Sequence, residues 1–247
     1  SSGITRLSLP DSLTSIPARM AQGTGLLEEV VVGDGVTEIG DSAFRSAREL
    51  SGLGVRQADG STTTGFPSSL VTIGQDAFTE SGLRSIDLPA SVRSVGYGAF
   101  AEIPNLAHVG LNEGLASIGE FAFNNTGISE LVIPDSVTAV GGSAFGGNGS
   151  LTRVHIGRGA AAGQLSTVFA GSPQLSAFTT DPANASYEAV DGVLYSKDHT
   201  GLVAYPAAKG SGGTYTVLDG TTRIEPSAVS EAALTGIVLP DSLRSIG

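Results

Sequence analysis

The sequence predicts a β-rich solenoid: a right-handed array of coils stacked through one parallel sheet, with repeats of 22–24 residues and one β-hairpin insertion. Three observations predict it. Ala-Phe pairs recur at Ala77-Phe78, Ala99-Phe100, Ala122-Phe123 and Ala144-Phe145, and their Phe residues stand 22, 23 and 22 residues apart, a period that belongs to stacked repeats rather than to a globular core. Each Phe is preceded by a short run of the form Leu83-x-x-Ile86-x-Leu88, too short for a helix and alternating at its end as a strand does. Proline and glycine then punctuate the same two places in successive copies.

The elements of one coil follow in order. Leu83, Ile86 and Leu88 open a short strand, and similar strands begin near Ile4, Leu27, Leu50, Leu106, Ile128, Leu151, Leu175 and Leu234, about ten in all. Period-two alternation sends Ser85 and Asp87 away from the core, onto an outer face. Proline follows at Pro10, Pro89, Pro134 and Pro240, where the missing N–H ends the pairing and keeps the strand short. Val92-x-x-Val95 forms a second extended segment. Gly40, Gly74, Gly96, Gly119 and Gly141 then share one position, which requires either a positive φ or a close approach of two backbones. Ala-Phe turns inward, with small Ala letting coils touch and Phe filling the space between them.

The run Ile128-x-x-Leu131-x-Ile133-Pro134-x-Ser136-Val137-x-x-Val140-Gly141-x-x-Ala144-Phe145 resembles the BspA-type, or Treponema-type, leucine-rich repeat. The resemblance covers most of the chain, so residues 1–247 read as a single leucine-rich repeat domain. That family often carries Cys three residues after Phe; here the place holds Ala47, Ser81, Ile103, Thr126, Asn148 and Ser172. Residues 184–225 also resemble the family, through Asn184, Tyr187, Val190-Asp191-Gly192-Val193-Leu194-Tyr195 and Tyr205-Pro206. This irregular segment is expected to hold a hairpin, Val193–Ser196 against Leu202–Tyr205, with its tyrosines packed onto the solenoid. Residues 56–65 lengthen one repeat to 34 residues between Phe44 and Phe78 and read as a polar surface loop.

Composition narrows the chemistry. Net charge is −11, the opposite of the footprint of a nucleic-acid-binding protein. With no Cys there is no thiolate nucleophile and no disulfide, and no apolar run reaches the ~20 residues of a membrane helix. Gly40-Asp41-Ser42 and Gly96-Tyr97-Gly98 loosely imitate hydrolase and dinucleotide motifs, but both fall on the repeat position shared by Gly74 and Gly119 and are explained by it. No catalytic residue, cofactor or metal is expected.

One polar cluster remains. Stacking the strands puts His108, Glu130 and Arg153 in one outward column, within reach of an ion-pair ladder, and His155 in the next. Asp87, His108, Glu130, Arg153 and His155 form the candidate binding face, a charged strip among small residues such as Gly110 and Ala177. The family resemblance implies a non-catalytic extracellular or cell-surface module for protein interaction or adhesion, with a protein of a host or microbial surface as its partner. Two alternatives stand beside it: a structural spacer, or an accessory binding array of a larger carbohydrate-active enzyme. The chain starts near a strand and stops within a repeat, so a fragment of a longer secreted protein is expected.

Overall fold

A computed structural model describes residues 3–160, 165–210 and 212–247. Each of the first six coils contributes a longer strand and a two-residue strand: β1 (Arg6–Ser8) and β2 (Ser15–Ile16), β3 (Glu29–Gly33) and β4 (Glu38–Ile39), β5 (Leu53–Arg56), β6 (Thr62–Thr64) and β7 (Thr72–Ile73), β8 (Ser85–Asp87) and β9 (Ser94–Val95), β10 (His108–Gly110) and β11 (Ser117–Ile118), β12 (Glu130–Ile133) and β13 (Ala139–Val140). Further along come β14 (Arg153–Ile156), β15 (Ala177–Thr180), β16 (Tyr187–Val190), β17 (Val193–Ser196) and β18 (Gly201–Ala204), and then β19 (Thr214–Thr216), β20 (Arg223–Ile224), β21 (Gly236–Val238) and β22 (Ser245–Ile246). None of the described residues is α-helical.

The parallel solenoid expected from the repeat is present, but its strands form two ladders instead of a single sheet. The two-residue strands, the second extended segment of the repeat, build an unbroken parallel stack from β2 through β4, β7, β9 and β11 to β13. The longer strands pair in groups, β1-β3-β5, β8-β10, β12-β14-β15 and β19-β21.

A third set of coil-to-coil bonds runs past the aromatic residues. Phe44, Phe78, Phe100 and Phe123 each donate the backbone N–H to the alanine carbonyl of the following coil, at 2.8, 2.8, 2.8 and 2.7 Å. Their rings form a continuous stack, Phe44-Phe78-Phe100-Phe123-Phe145, with centroids 5.2–5.3 Å apart. All five are fully buried. The shared glycine serves close approach, not a left-handed turn: a Cβ on Gly119 would lie 2.6 Å from the Gly96 carbonyl carbon. The left-handed position comes two residues later, at Ser42, Asp76, Gly98, Phe121 and Ser143, with φ between 52° and 57°. Phe121 pays steric strain there that Gly98 avoids.

At the position where the family often has Cys, Asn148 is completely buried and fully satisfied. Its Oδ1 accepts from Thr126 N and Oγ1 at 2.7 and 2.8 Å, while Nδ2 donates to Phe123 O and Phe145 O at 3.2 and 2.8 Å. One side chain therefore joins two successive coils.

Two segments depart from expectation. Residues 56–65 are not a free loop: β6 folds back antiparallel on β5, pairing Gly54 with Thr64 and Arg56 with Thr62. The outward glycines make this possible, because Thr62 and Thr64 methyl groups lie 3.0 and 3.3 Å from where Cβ atoms of Gly54 and Gly52 would be. Within 184–225, of which Ser211 lies outside the described residues, the expected hairpin β17–β18 is joined by β16 into an antiparallel meander. Repeat geometry then resumes at Thr214, with β20 pairing parallel to β18 and β22. Tyr195 and Tyr205 are buried with Val217 and Ile224 in a second apolar cluster, and Tyr195 Oη meets Tyr215 Oη at 2.6 Å. These rings pack the meander onto the coils.

Candidate interaction surface

The longer strands hold the predicted residues on one outer face because their even positions must bury Ile86, Val109, Leu131 and Val154. Asp87, His108, Glu130 and Arg153 are exposed, and His155 is half-exposed. The structure brings them together differently from a straight column. His108 donates from Nε2 to Asp87 Oδ1 at 3.0 Å, a diagonal contact, since the residue in register with His108 is Ser85. Gly110 stands opposite Asp87 and its missing side chain leaves the room into which the carboxylate leans.

Glu130 and Arg153 are in register, yet neither forms an ion pair among the described residues. The expected contact of His108 with Glu130 is absent too, because β10 and β12 do not pair and the ladder is interrupted between them. The predicted ion-pair ladder is thus replaced by one His108–Asp87 bridge and two unpaired charges. His155 meets Thr179, with Nδ1 2.9 Å from Oγ1.

Val132, in register with His155, is 60 % exposed and lies between Glu130 and the histidine on the same face. In the sequence Val132 is one of several small or apolar outward positions. A β-branched residue this exposed beside two unpaired charges is its distinguishing signal. An exposed apolar pair, Tyr97 and Phe121, meets edge to face at 5.6 Å on the glycine-turn side.

Among the described residues no group of three or more histidines and carboxylates is placed to hold a metal ion, and no helix is long and apolar enough to cross a membrane. Other carboxylates are tied into turns. Ser196 Oγ and Thr200, through both N–H and Oγ1, donate to Asp198 and lower its carboxyl to about 2. Hydrogen bonding from Arg48 holds Glu80 below the ordinary carboxylate range.

The profile of the BspA type leucine rich repeat region matches six copies, over residues 1–55 and 57–180. Among solved structures, a leucine rich cell surface protein from Faecalibacterium prausnitzii A2-165 is 26% identical with a TM-score of 0.68, aligning with 100% of this chain and 66% of its own. The pneumococcal vaccine antigen PcpA shares the fold at 22% identity and a TM-score of 0.65, across 97% of this chain and 61% of that protein. This chain therefore spans less than two thirds of either structure. A search of the curated proteins found no match.

Proposed function

Because this chain belongs to the BspA-type leucine-rich repeat family, we propose that it is a non-catalytic module for protein interaction or adhesion at the cell surface or outside the cell, and that Asp87, His108, Glu130, Arg153 and His155 contact a protein of a host or microbial surface. The observation that carries this reading is the pair Glu130 and Arg153. They stand in register on one ladder, both are exposed, and they form no ion pair with each other. Charges held in place without an internal partner have paid little toward folding and remain free to select a complementary surface. Val132 supplies the apolar anchor such contacts usually surround. The cell-surface description of the Faecalibacterium protein supports the location.

The test is adhesion of purified protein to immobilised extracellular-matrix proteins and to microbial cells, comparing wild type with the double variant Glu130→Lys with Arg153→Glu. Binding is expected to fall at least tenfold with the melting temperature unchanged within a degree or two. Equal binding by the double variant overturns the assignment of this face. A chain that binds none of these surfaces is better described as a spacer.

A further inference from the structure

The strongest unassigned feature is a cleft where the longer ladder is broken between β5 and β8. The 34-residue repeat folds β6 back over β5, so β8 cannot pair with β5, and it does not pair with β6 either. Phe66 fills the interior of the resulting wedge, edge-on to Phe78 and Phe100 at 5.6 and 6.2 Å. Above it a cavity of about 610 Å³ remains, bounded by Gly52, Leu53, Thr64 and Gly65 on one side and by Leu83 and Ser85–Asp87 on the other. That volume lies in the range that holds ligands.

Both walls are strand edges. Leu88 donates its N–H to Gly110 O at 2.9 Å, which turns Ile86 and Leu88 toward β10; the alternation of backbone groups along a parallel strand then turns the N–H and C=O of Ser85 and Asp87 into the cleft. On the opposite wall, Gly65 donates to Leu53 O at 2.9 Å, so Thr63 and Gly65 face β5 while Thr62 and Thr64 face the cleft. Two rows of backbone donors and acceptors thus look at each other across a gap that neither closes. Water reaches them, but a row of unpaired strand groups is also the template on which an added strand forms.

We propose that this cleft takes an extended segment of a protein partner, which runs parallel to β8 and completes the broken ladder. The occupant is defined by the walls. Its backbone pairs with Ser85 and Asp87; alternate side chains are small or β-branched and rest on Leu53, Phe66 and Leu83; the others face outward, where basic groups suit a chain of net charge −11. The proposal concerns the backbone edge, so it stands whether or not the charged outer face binds anything.

The probe is a fluorescent, end-capped hexapeptide of alternating valine and lysine, titrated by anisotropy into the whole 247-residue chain. Saturable binding in the micromolar to millimolar range is expected. N-methylation of alternate peptide nitrogens, which removes the edge donors and keeps the side chains, is expected to weaken it at least tenfold. Ser85→Pro takes away a donor that no internal group uses and fills the cleft edge, and Thr64→Pro does the same from the other wall; each is expected to abolish binding. Glu130→Lys with Arg153→Glu retains it, which separates this cleft from the outer face. Absence of saturable binding by wild type, or equal binding of the N-methylated peptide, overturns the proposal. So does a wild-type dimer in light scattering that Ser85→Pro converts to monomer, since the slot then belongs to a second copy.

Discussion

Phe78 and Phe100 lie with their ring planes 1° apart and their centroids at 5.3 Å, although 22 residues separate them in the chain. The relation is repeated by Phe100 with Phe123 and by Phe123 with Phe145, at 7° and 2°. Each ring is the floor for the next, so removing one exposes two.

Phe100→Ala and Phe123→Ala are each expected to lower stability by about 3–5 kcal/mol. Urea denaturation followed by far-ultraviolet circular dichroism measures this. A loss below about 1 kcal/mol would show that neighbouring coils close the gap and that the stack is not the core.

Asn148→Ala removes four hydrogen bonds and leaves Thr126 N–H and the Phe145 carbonyl buried without a partner, while Phe123 O keeps the Thr126 hydroxyl at 3.5 Å. With about 1–3 kcal/mol for each group so stranded, offset by relaxation, a cost of roughly 3 kcal/mol is expected. The amide of Thr126 should also lose its protection from hydrogen exchange. Retained protection at Thr126 would mean another acceptor has replaced the amide.

Gly119→Ala forces a Cβ to within 2.6 Å of the backbone of the preceding coil, whereas an Ala at Gly35 meets nothing within 4 Å. The first substitution is expected to destabilise by several kcal/mol, and Gly35→Ala to change stability by less than about 1 kcal/mol, toward higher stability through the stiffer unfolded chain. Thermal melts of the two variants side by side decide this, and similar losses in both would remove the close-approach explanation.

The carboxyl of Asp198 is depressed to about 2 by donors from Ser196 and Thr200. Because the folded value lies below the 3.8 of an ordinary aspartate, the ionised form favours the folded state; the contribution is complete above pH 3.8 and disappears as the pH falls through about 2. Carbon-detected NMR titration should therefore place the Asp198 midpoint well below that of an ordinary aspartate. In Ser196→Ala the midpoint should rise toward that of an ordinary aspartate. A midpoint near 4 in the wild type would contradict the turn geometry.

What the amino-acid pattern reveals is whatever every coil must repeat. Ile86, Leu88, Val95 and Phe100 are legible because each recurs at a fixed interval and each has no alternative to burial. The coil beginning at Thr214 is hidden in the sequence because Val229 stands where Phe recurs and Glu225 where Gly does. The β6 hairpin escaped notice since Thr62–Thr64 has no apolar alternation; its pairing depends on Gly52 and Gly54, whose role shows only when the two strands are laid together. The candidate face was legible as a set of outward positions but not as contacts. Ideal stacking predicts neighbours in a straight column, while the break between β10 and β12 and the space at Gly110 decide that His108 meets Asp87 instead of Glu130.

All three sets of bonds between coils point along the axis of the stack, and that orientation has a mechanical consequence. A force applied to the two ends of the chain loads the bonds of one coil at a time, so the molecule peels open in steps and does not shear as a block. Each step would release roughly 75–80 Å of slack, the extended length of a 22-residue coil. A strand seated between β6 and β8 would bridge one of the places where the longer ladder lies open, and so would raise the force needed to start the peeling there. The array would then act as a shock absorber whose stiffness depends on whether it is occupied.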